Sequence, residues 1–153
     1  MKKLFVGMIF AASAAFAILS AAPAAAAGLA SPDEAKELAL KAAGFLRANG
    51  PDKAFPAFTA QGNEWHDRDL YVFVYDDTGH AVAHGGNPAL VGKSLIDLKD
   101  VDGVSFVRAI IAVQDAGWVD YKWKNPVTGT VGLKTSYIVK VDTYRVGVGA
   151  YKQ

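Results

Sequence analysis

Cysteine is absent from the 153 residues, and with it go disulfide frameworks, four-thiolate zinc sites, iron–sulfur ligation and thiolate nucleophiles. Imidazole is scarce as well, since His66, His80 and His84 are the three histidines. No charge of one sign dominates: Lys and Arg number 16 against 15 Asp and Glu, so there is no electrostatic case for nucleic acid or an anionic membrane surface as partner. A G-x-S-x-G elbow is missing. So is a phosphate-cradling glycine loop, because Gly147 and Gly149 lie inside a strand pattern and open no helix. No internal repeat and no linker divides the chain. With 52% hydrophobic letters, disorder and collagen are excluded too.

What is present begins with an unusual first segment. Lys2 and Lys3 precede an uncharged run from Leu4 to Leu19, and small residues follow through Ala24, Ala25, Ala26 and Ala27. This is the form of a secretory signal peptide over residues 1–27. The competing reading is a retained anchor, since Leu4 to Ala27 is long enough to cross about 30 Å of hydrocarbon. A-x-A cleavage options and the lack of a basic stop-transfer cluster favour cleavage. The expected product, residues 28–153, is a periplasmic or secreted protein with no membrane span. It loses two lysines and no acids and is close to neutral. Without disulfides it must stand on a packed core, which a chain of this size can supply.

Ser31-Pro32-Asp33-Glu34 reads as a capping box with proline at the first helical position. The apolar spacing predicts a helix from Pro32 to Ala48, ended by Asn49-Gly50-Pro51. Asp52 to Gly62 is expected as a short helical or irregular connection. The aromatic, β-branched run from Asp69 to Asp76 predicts a strand with Tyr71, Phe73 and Tyr75 on one face. Asp76-Asp77-Thr78-Gly79 makes a hairpin turn, and a return strand covers His80 to His84. A structured loop then leads into a second helix from Val104 to Ala116. Three strands close the chain: Trp118 to Lys124, Val131 to Val141, and Tyr144 to Tyr151. Short links between strands demand antiparallel neighbours. The expected architecture is a single α+β domain, a five-stranded antiparallel sheet with a long N-terminal helix and a second helix packed on it.

The polar constellations give no catalytic signal, and neither an enzyme nor a bound cofactor is expected. Asp97, Asp100 and Asp102 before Gly103 resemble a calcium loop superficially, but no acid stands at the required twelfth position. His80 and His84 fall on a turn and strand that set them about 13 Å apart, too far for one metal ion. Neither Ser94 nor Ser105 sits in a nucleophile turn. The positive feature is aromatic: Tyr71, Phe73, Tyr75, Trp118, Tyr121, Trp123 and Tyr137, together with His84 and Lys134. These residues are either core or the walls of a small pocket whose donors would hold a carboxylate.

The run YVFVYDDTGHAVAHGGNPALVGKSLIDLKDVDG, then WVDYKWKNPVTG, LKTSYIVKV and RVGVGAY, resembles the single Cache domain of bacterial extracytoplasmic sensors. The pattern carrying the resemblance is an aromatic strand, D-x-x-G, a histidine with N-P, G-K, D-x-x-G, Y-x-W-x-x-P, K-x-x-Y and a closing glycine-aromatic strand, over Leu38 to Lys152. The resemblance implies a PAS-like sheet and a pocket for small ligands, often short carboxylates or amino acids. The matching positions are His84, Tyr121, Trp123, Lys134 and Tyr137, with Trp118, Tyr71 and Phe73 added as walls. Strict alternation puts Lys134 and Tyr137 on opposite faces, so both point inward only if a bulge intervenes. Lys134 and Tyr121 therefore rank above Tyr137. Cache domains usually precede a membrane helix and an output module, whereas this sequence ends at Gln153. The expectation is a stand-alone module that presents its ligand to a membrane receptor or sensor kinase. An interaction module without a small ligand is the alternative.

Overall fold

A computed structural model describes residues 28–152; the leader proposed for residues 1–27 lies outside them. Helix α1 runs Pro32–Asn49 and opens as the sequence dictates. Ser31 Oγ accepts the Glu34 N–H, and the Glu34 carboxylate accepts the Ser31 N–H at 2.7 Å. Gly50, at φ 75°, ends it, a backbone conformation that glycine adopts without penalty. Pro51 immediately starts a second helix, α2, Pro51–Thr59, so the connection expected after Asp52 is helical. The buried stripe of α1 is Ala35, Ala39, Ala42, Ala43 and Leu46. Four alanines let the helix axis lie close to the sheet.

The strands are β1 His66–Asp67, β2 Leu70–Tyr75, β3 Ala81–His84, β4 Ala116–Lys124, β5 Val131–Val141 and β6 Tyr144–Tyr151. The expected five strands are joined by the two-residue β1. All pairings are antiparallel, in the order β1-β2-β6-β5-β4, with β3 also on β2. Helices α1 and α2 cover one face. Their core includes Phe58, Val72, Val74, Val139, Val146 and Val148. Trp65, which no sequence pattern singles out, is buried there against Phe45 and Phe58 at 5.0 and 4.9 Å between ring centres. The other face carries Tyr71, Phe73, Tyr75, Tyr121 and Ile138, covered by α3 and by the loops that flank it.

Helix α3 corrects an expectation. It spans Phe106–Ile111, not Val104 to Ala116. The Arg145 guanidinium donates to the Val113 carbonyl at 2.7 Å, and the Asp115 carbonyl accepts the Lys140 N–H at 2.7 Å. The sheet thus takes the backbone acceptors just beyond α3, and β4 begins at Ala116 instead of Trp118. The acidic loop before α3 is a turn held from within. Asp100 accepts the N–H groups of Asp102, Val104 and Lys122 at 2.8 to 2.9 Å. Its oxygens are engaged in shaping the loop.

Candidate functional site

Register decides which side chains meet. Tyr121 pairs with Lys134, and Lys134 with Tyr151, so these three stand side by side on one face across β4, β5 and β6. The next row holds Val119, Ser136 and Gly149, and a further one Ile138, Gly147 and Phe73. The two glycines leave a trough in the sheet surface. A Cβ on Gly149 would lie 2.5 Å from Lys134 Cε, so the lysine stem lies across the space that the missing side chain vacates.

Lys134 is fully buried. Its Nζ lies 3.8 Å from the centre of the Tyr71 ring, 5.2 Å from that of Tyr151 and 5.4 Å from that of Phe73, yet it has no hydrogen-bond partner. Ring faces attract an ammonium by about 2 kcal/mol when it is desolvated. Stripping water from the same group costs several kcal/mol, and an ammonium has three donors to satisfy. Burial therefore wins and pushes the amine well below the usual lysine range, while the Asp69 carboxylate pulls it up. Asp69 is also buried, with one oxygen accepting the Ala30 N–H at 2.7 Å and the other unpartnered.

His84 ends β3 and stacks on Tyr71 and Phe73, with ring centres 5.1 and 6.2 Å apart. Its Nδ1 accepts the Asn87 N–H at 2.9 Å, which places the proton of the neutral ring on Nε2. Burial first, and the nearby lysine second, lower its pKa to about 3, so it is a neutral donor at physiological pH. The Tyr121 hydroxyl is paired with Ser136 Oγ at 3.1 Å, and its ring stacks on Phe106 at 4.5 Å. Burial raises its pKa, keeping the hydroxyl protonated. The Tyr151 hydroxyl donates to the Lys124 carbonyl at 2.7 Å.

A cavity of about 470 Å³ opens at the end of this face, lined by Tyr71, Gly86 and Asn87, by Trp123 and Lys124 of β4, and by the turn residues Asn125, Pro126 and Gly129. Of the sequence-predicted residues, Tyr71 and Trp123 line it. Lys134, His84, Tyr121 and Phe73 are buried beyond its lining. Tyr71 is the shared wall: one ring face meets the amine, and a Cβ on Gly86 would come within 2.5 Å of the ring. Asn125 builds the rim, its carboxamide oxygen accepting the Val127 and Thr128 N–H groups at 2.8 and 3.2 Å.

Two predicted residues are placed elsewhere. Trp118 and Tyr137 pair with each other, their rings 4.9 Å apart, on the helix-covered side of the sheet. No bulge interrupts β5 between Lys134 and Tyr137, so an odd spacing sends them to opposite faces. Tyr137 packs under α1 with Lys36 Nζ 5.2 Å from its ring centre, and Trp118 is 43% exposed. Neither lies on the face that carries Lys134.

The family model for Single Cache domain 2 matches residues 12–152. The chain belongs to that family. Cache domains are extracytoplasmic sensor domains, and the related proteins are of that type. Sensor histidine kinase MctS of Rhizobium johnstonii is 36% identical over 90 residues, covering 56% of this chain and 20% of the kinase. Methyl-accepting chemotaxis protein McpP of Pseudomonas putida is 33% identical over 91 residues, covering 56% of this chain and 17% of the receptor. The chain thus matches about a fifth of the length of these relatives. A methyl-accepting chemotaxis protein of Vibrio parahaemolyticus has a similar structure, with TM-score 0.67 and 26% identity over 78% of this chain and 86% of that one. So does a Cache chemosensory domain that recognises carboxylic acids, with TM-score 0.69 and 22% identity over 79% of this chain and 92% of that one.

Within this Cache domain, sequence reasoning left out Asp69, Ser136, Gly149 and Tyr151 as parts of the site. Period two counted from Lys134 reaches Ser136, and the paired strand then supplies Gly149 and Tyr151. That signal was available once β5 and β6 were aligned. Asp69 has no comparable signal, because a lone acid at the first position of a predicted strand reads as a solvated strand end. No described helix is long and apolar enough to cross a membrane.

Proposed function

We propose that residues 28–153 form a periplasmic or secreted sensor module that binds a short carboxylate at Lys134, with residues 1–27 as its cleaved leader. The observation that carries this reading is the Lys134 amine, buried under aromatic rings with no acceptor of its own. An amine in that condition is short of one thing, an anionic oxygen pair, and a carboxylate supplies it as a charge-assisted hydrogen-bond acceptor. His84 and Tyr121 stand nearby as neutral donors. Carboxylic acid recognition by a structural neighbour agrees with this choice, although the likeness there is one of fold. The ligand reaches the amine from the cavity by displacing the Tyr71 ring that now stands against it. The bound module then acts on a membrane receptor or sensor kinase.

Thermal unfolding of the exported protein against a panel of short carboxylates and amino acids tests the reading. A ligand at about 100 times its dissociation constant adds roughly 2.7 kcal/mol to the folded state. One carboxylate class should raise the melting temperature of the wild type, and Lys134→Met should abolish that shift while remaining folded. A shift that survives Lys134→Met refutes the site. N-terminal sequencing of exported protein checks the leader, with Gly28 expected first.

The second reading, an interaction module without a small ligand, has one observation in its favour: the Tyr71 ring already fills the place over the amine. Ligand-free protein that shows no shift across the panel, yet captures a membrane receptor, supports it.

A further inference from the structure

Lys134 Nζ makes no hydrogen bond with any of the polar groups packed around it. From β2 it faces the Tyr71 ring, and the phenols of Tyr71 and Tyr75 are held protonated by burial. His84 on β3 uses its acceptor nitrogen on Asn87 and presents only N–H. Tyr121 on β4 and Ser136 on β5 hydrogen-bond each other. Tyr151 on β6 donates to the Lys124 carbonyl. The Asp69 carboxylate, before β2, holds the Ala30 N–H with one oxygen, and its other oxygen, although unpartnered, makes no ion pair with the lysine. From α3, Arg108 is engaged at the surface with Asp97. As the side chains stand in the empty site, no acceptor is within hydrogen-bonding reach of the amine.

We infer that binding at this site takes up a proton from solvent: the Lys134 amine is neutral while the site is empty and becomes ammonium as the ligand carboxylate reaches it. The inference rests on the carboxylate reading above and deepens it. The balance is simple. One carboxylate and one proton enter, the nitrogen lone pair takes the proton, and the new N–H groups donate to the ligand oxygens. No bond to carbon changes. The site then responds to pH as well as to ligand, because each proton taken up on binding lowers affinity as pH rises. His84 is neutral in the empty site too, but its unprotonated ring nitrogen is occupied by the Asn87 N–H, so proton uptake there would have to break that hydrogen bond.

Calorimetric titration with acetate and with propionate, in phosphate and in Tris between about pH 6.5 and 9, gives the proton count from the buffer dependence of the heat. Uptake approaching one proton is expected at the alkaline end, with affinity falling by up to about tenfold per pH unit there. Binding without proton uptake anywhere in that range overturns the inference and leaves the carboxylate site standing. Absence of binding by both probes, and by the rest of the carboxylate panel, overturns the site reading and the inference with it. A ligand-free measurement separates the two further. The Lys134 Cε carbon resonance, assigned by its loss in Lys134→Met, should sit at the neutral-amine position at about pH 9, and an ammonium position there overturns the inference.

Discussion

On the helix-covered face the sheet buries Val72, Val74, Val139, Val146 and Val148 against four alanines, Leu46 and Phe58. On the opposite face it buries Tyr71, Phe73, His84, Tyr121 and Lys134 under a short helix and loops. The strands are the same and the alternation is the same, yet the first face is closed by complementary apolar shapes and the second leaves a lysine without an acceptor. Most of the stability is therefore expected from the first face. On the proposed function, the second gives up some stability to hold a polar group where a ligand can satisfy it, which is how binding sites commonly depart from the packing of a core.

Damage to the helix face gives the largest expected effect. Phe58 is fully buried against Phe45 and Trp65. Phe58→Ala should cost about 4 kcal/mol in denaturant unfolding, as aromatic-to-alanine changes in cores do. The proton-binding properties of the Lys134 site should be unchanged in whatever fraction remains folded. A loss below about 1 kcal/mol would show that the helix layer is not the main store of stability.

The site face should show itself next, through pH. His84 titrates near 6.5 when unfolded and at about 3 in the folded protein. The unfolded state therefore binds the proton first. The stability His84 contributes is complete above about pH 6.5 and is lost as pH falls from there through about 3, by at most a few kcal/mol. His84→Asn, which keeps an acceptor for the Asn87 N–H, should flatten that acid limb in unfolding curves measured across this range. An unchanged limb would mean that the ring does not become charged on unfolding there, and the assignment of acid sensitivity to this face would fall.

Lys134→Met sharpens the contrast from the other direction. Replacing a buried, unpaired amine by an apolar chain of similar length removes a desolvation cost, and such replacements are often neutral or stabilising by about 1–4 kcal/mol. The neutral state of the amine puts the expected gain near the low end, about 1 kcal/mol, together with complete loss of the ligand-induced shift. A variant both more stable and unresponsive would demonstrate that this residue is kept for binding. A destabilised variant would make the lysine a structural residue instead.

Much of this was legible in the letters because local rules and the global fold agree. Strands β5 and β6 begin and end at the residues the alternation indicated, and α1 ends one residue beyond its predicted limit, because capping box, stripe and Gly50 all point the same way. The second helix was overread, since its apolar letters continue through Val113 while the backbone acceptors there are taken by Arg145 and Lys140, and such long-range partners leave no periodic trace. Lys134 was legible through the family pattern and the donor chemistry. Its isolation was not, because it depends on what Tyr121, His84 and Tyr151 do with their own acceptors, which only their positions in space reveal.

Trp118 and Tyr137 are where pattern and geometry part, and they provide the smallest effect and the most direct check on the two-face division. Tyr137 belongs to the K-x-x-Y motif of the family resemblance, Trp118 stands beside Y-x-W-x-x-P, and both are aromatic, so composition alone assigns them to the pocket. Parity assigns them away from it: three residues separate Tyr137 from Lys134 and Trp118 from Tyr121, and the unbroken β4–β5 register turns each pair to opposite sides. Trp118 is 43% exposed and meets Tyr137 edge to face, a contact worth about 0.5–1.5 kcal/mol. Trp118→Ala should therefore lower stability by about 1 kcal/mol and leave carboxylate affinity within twofold of wild type, whereas Trp123→Ala, which opens a wall of the cavity, should weaken binding about tenfold or more. Equal losses of affinity in the two variants would mean that the face behind β4 reaches the ligand after all, and that the sheet is not the boundary between scaffold and site.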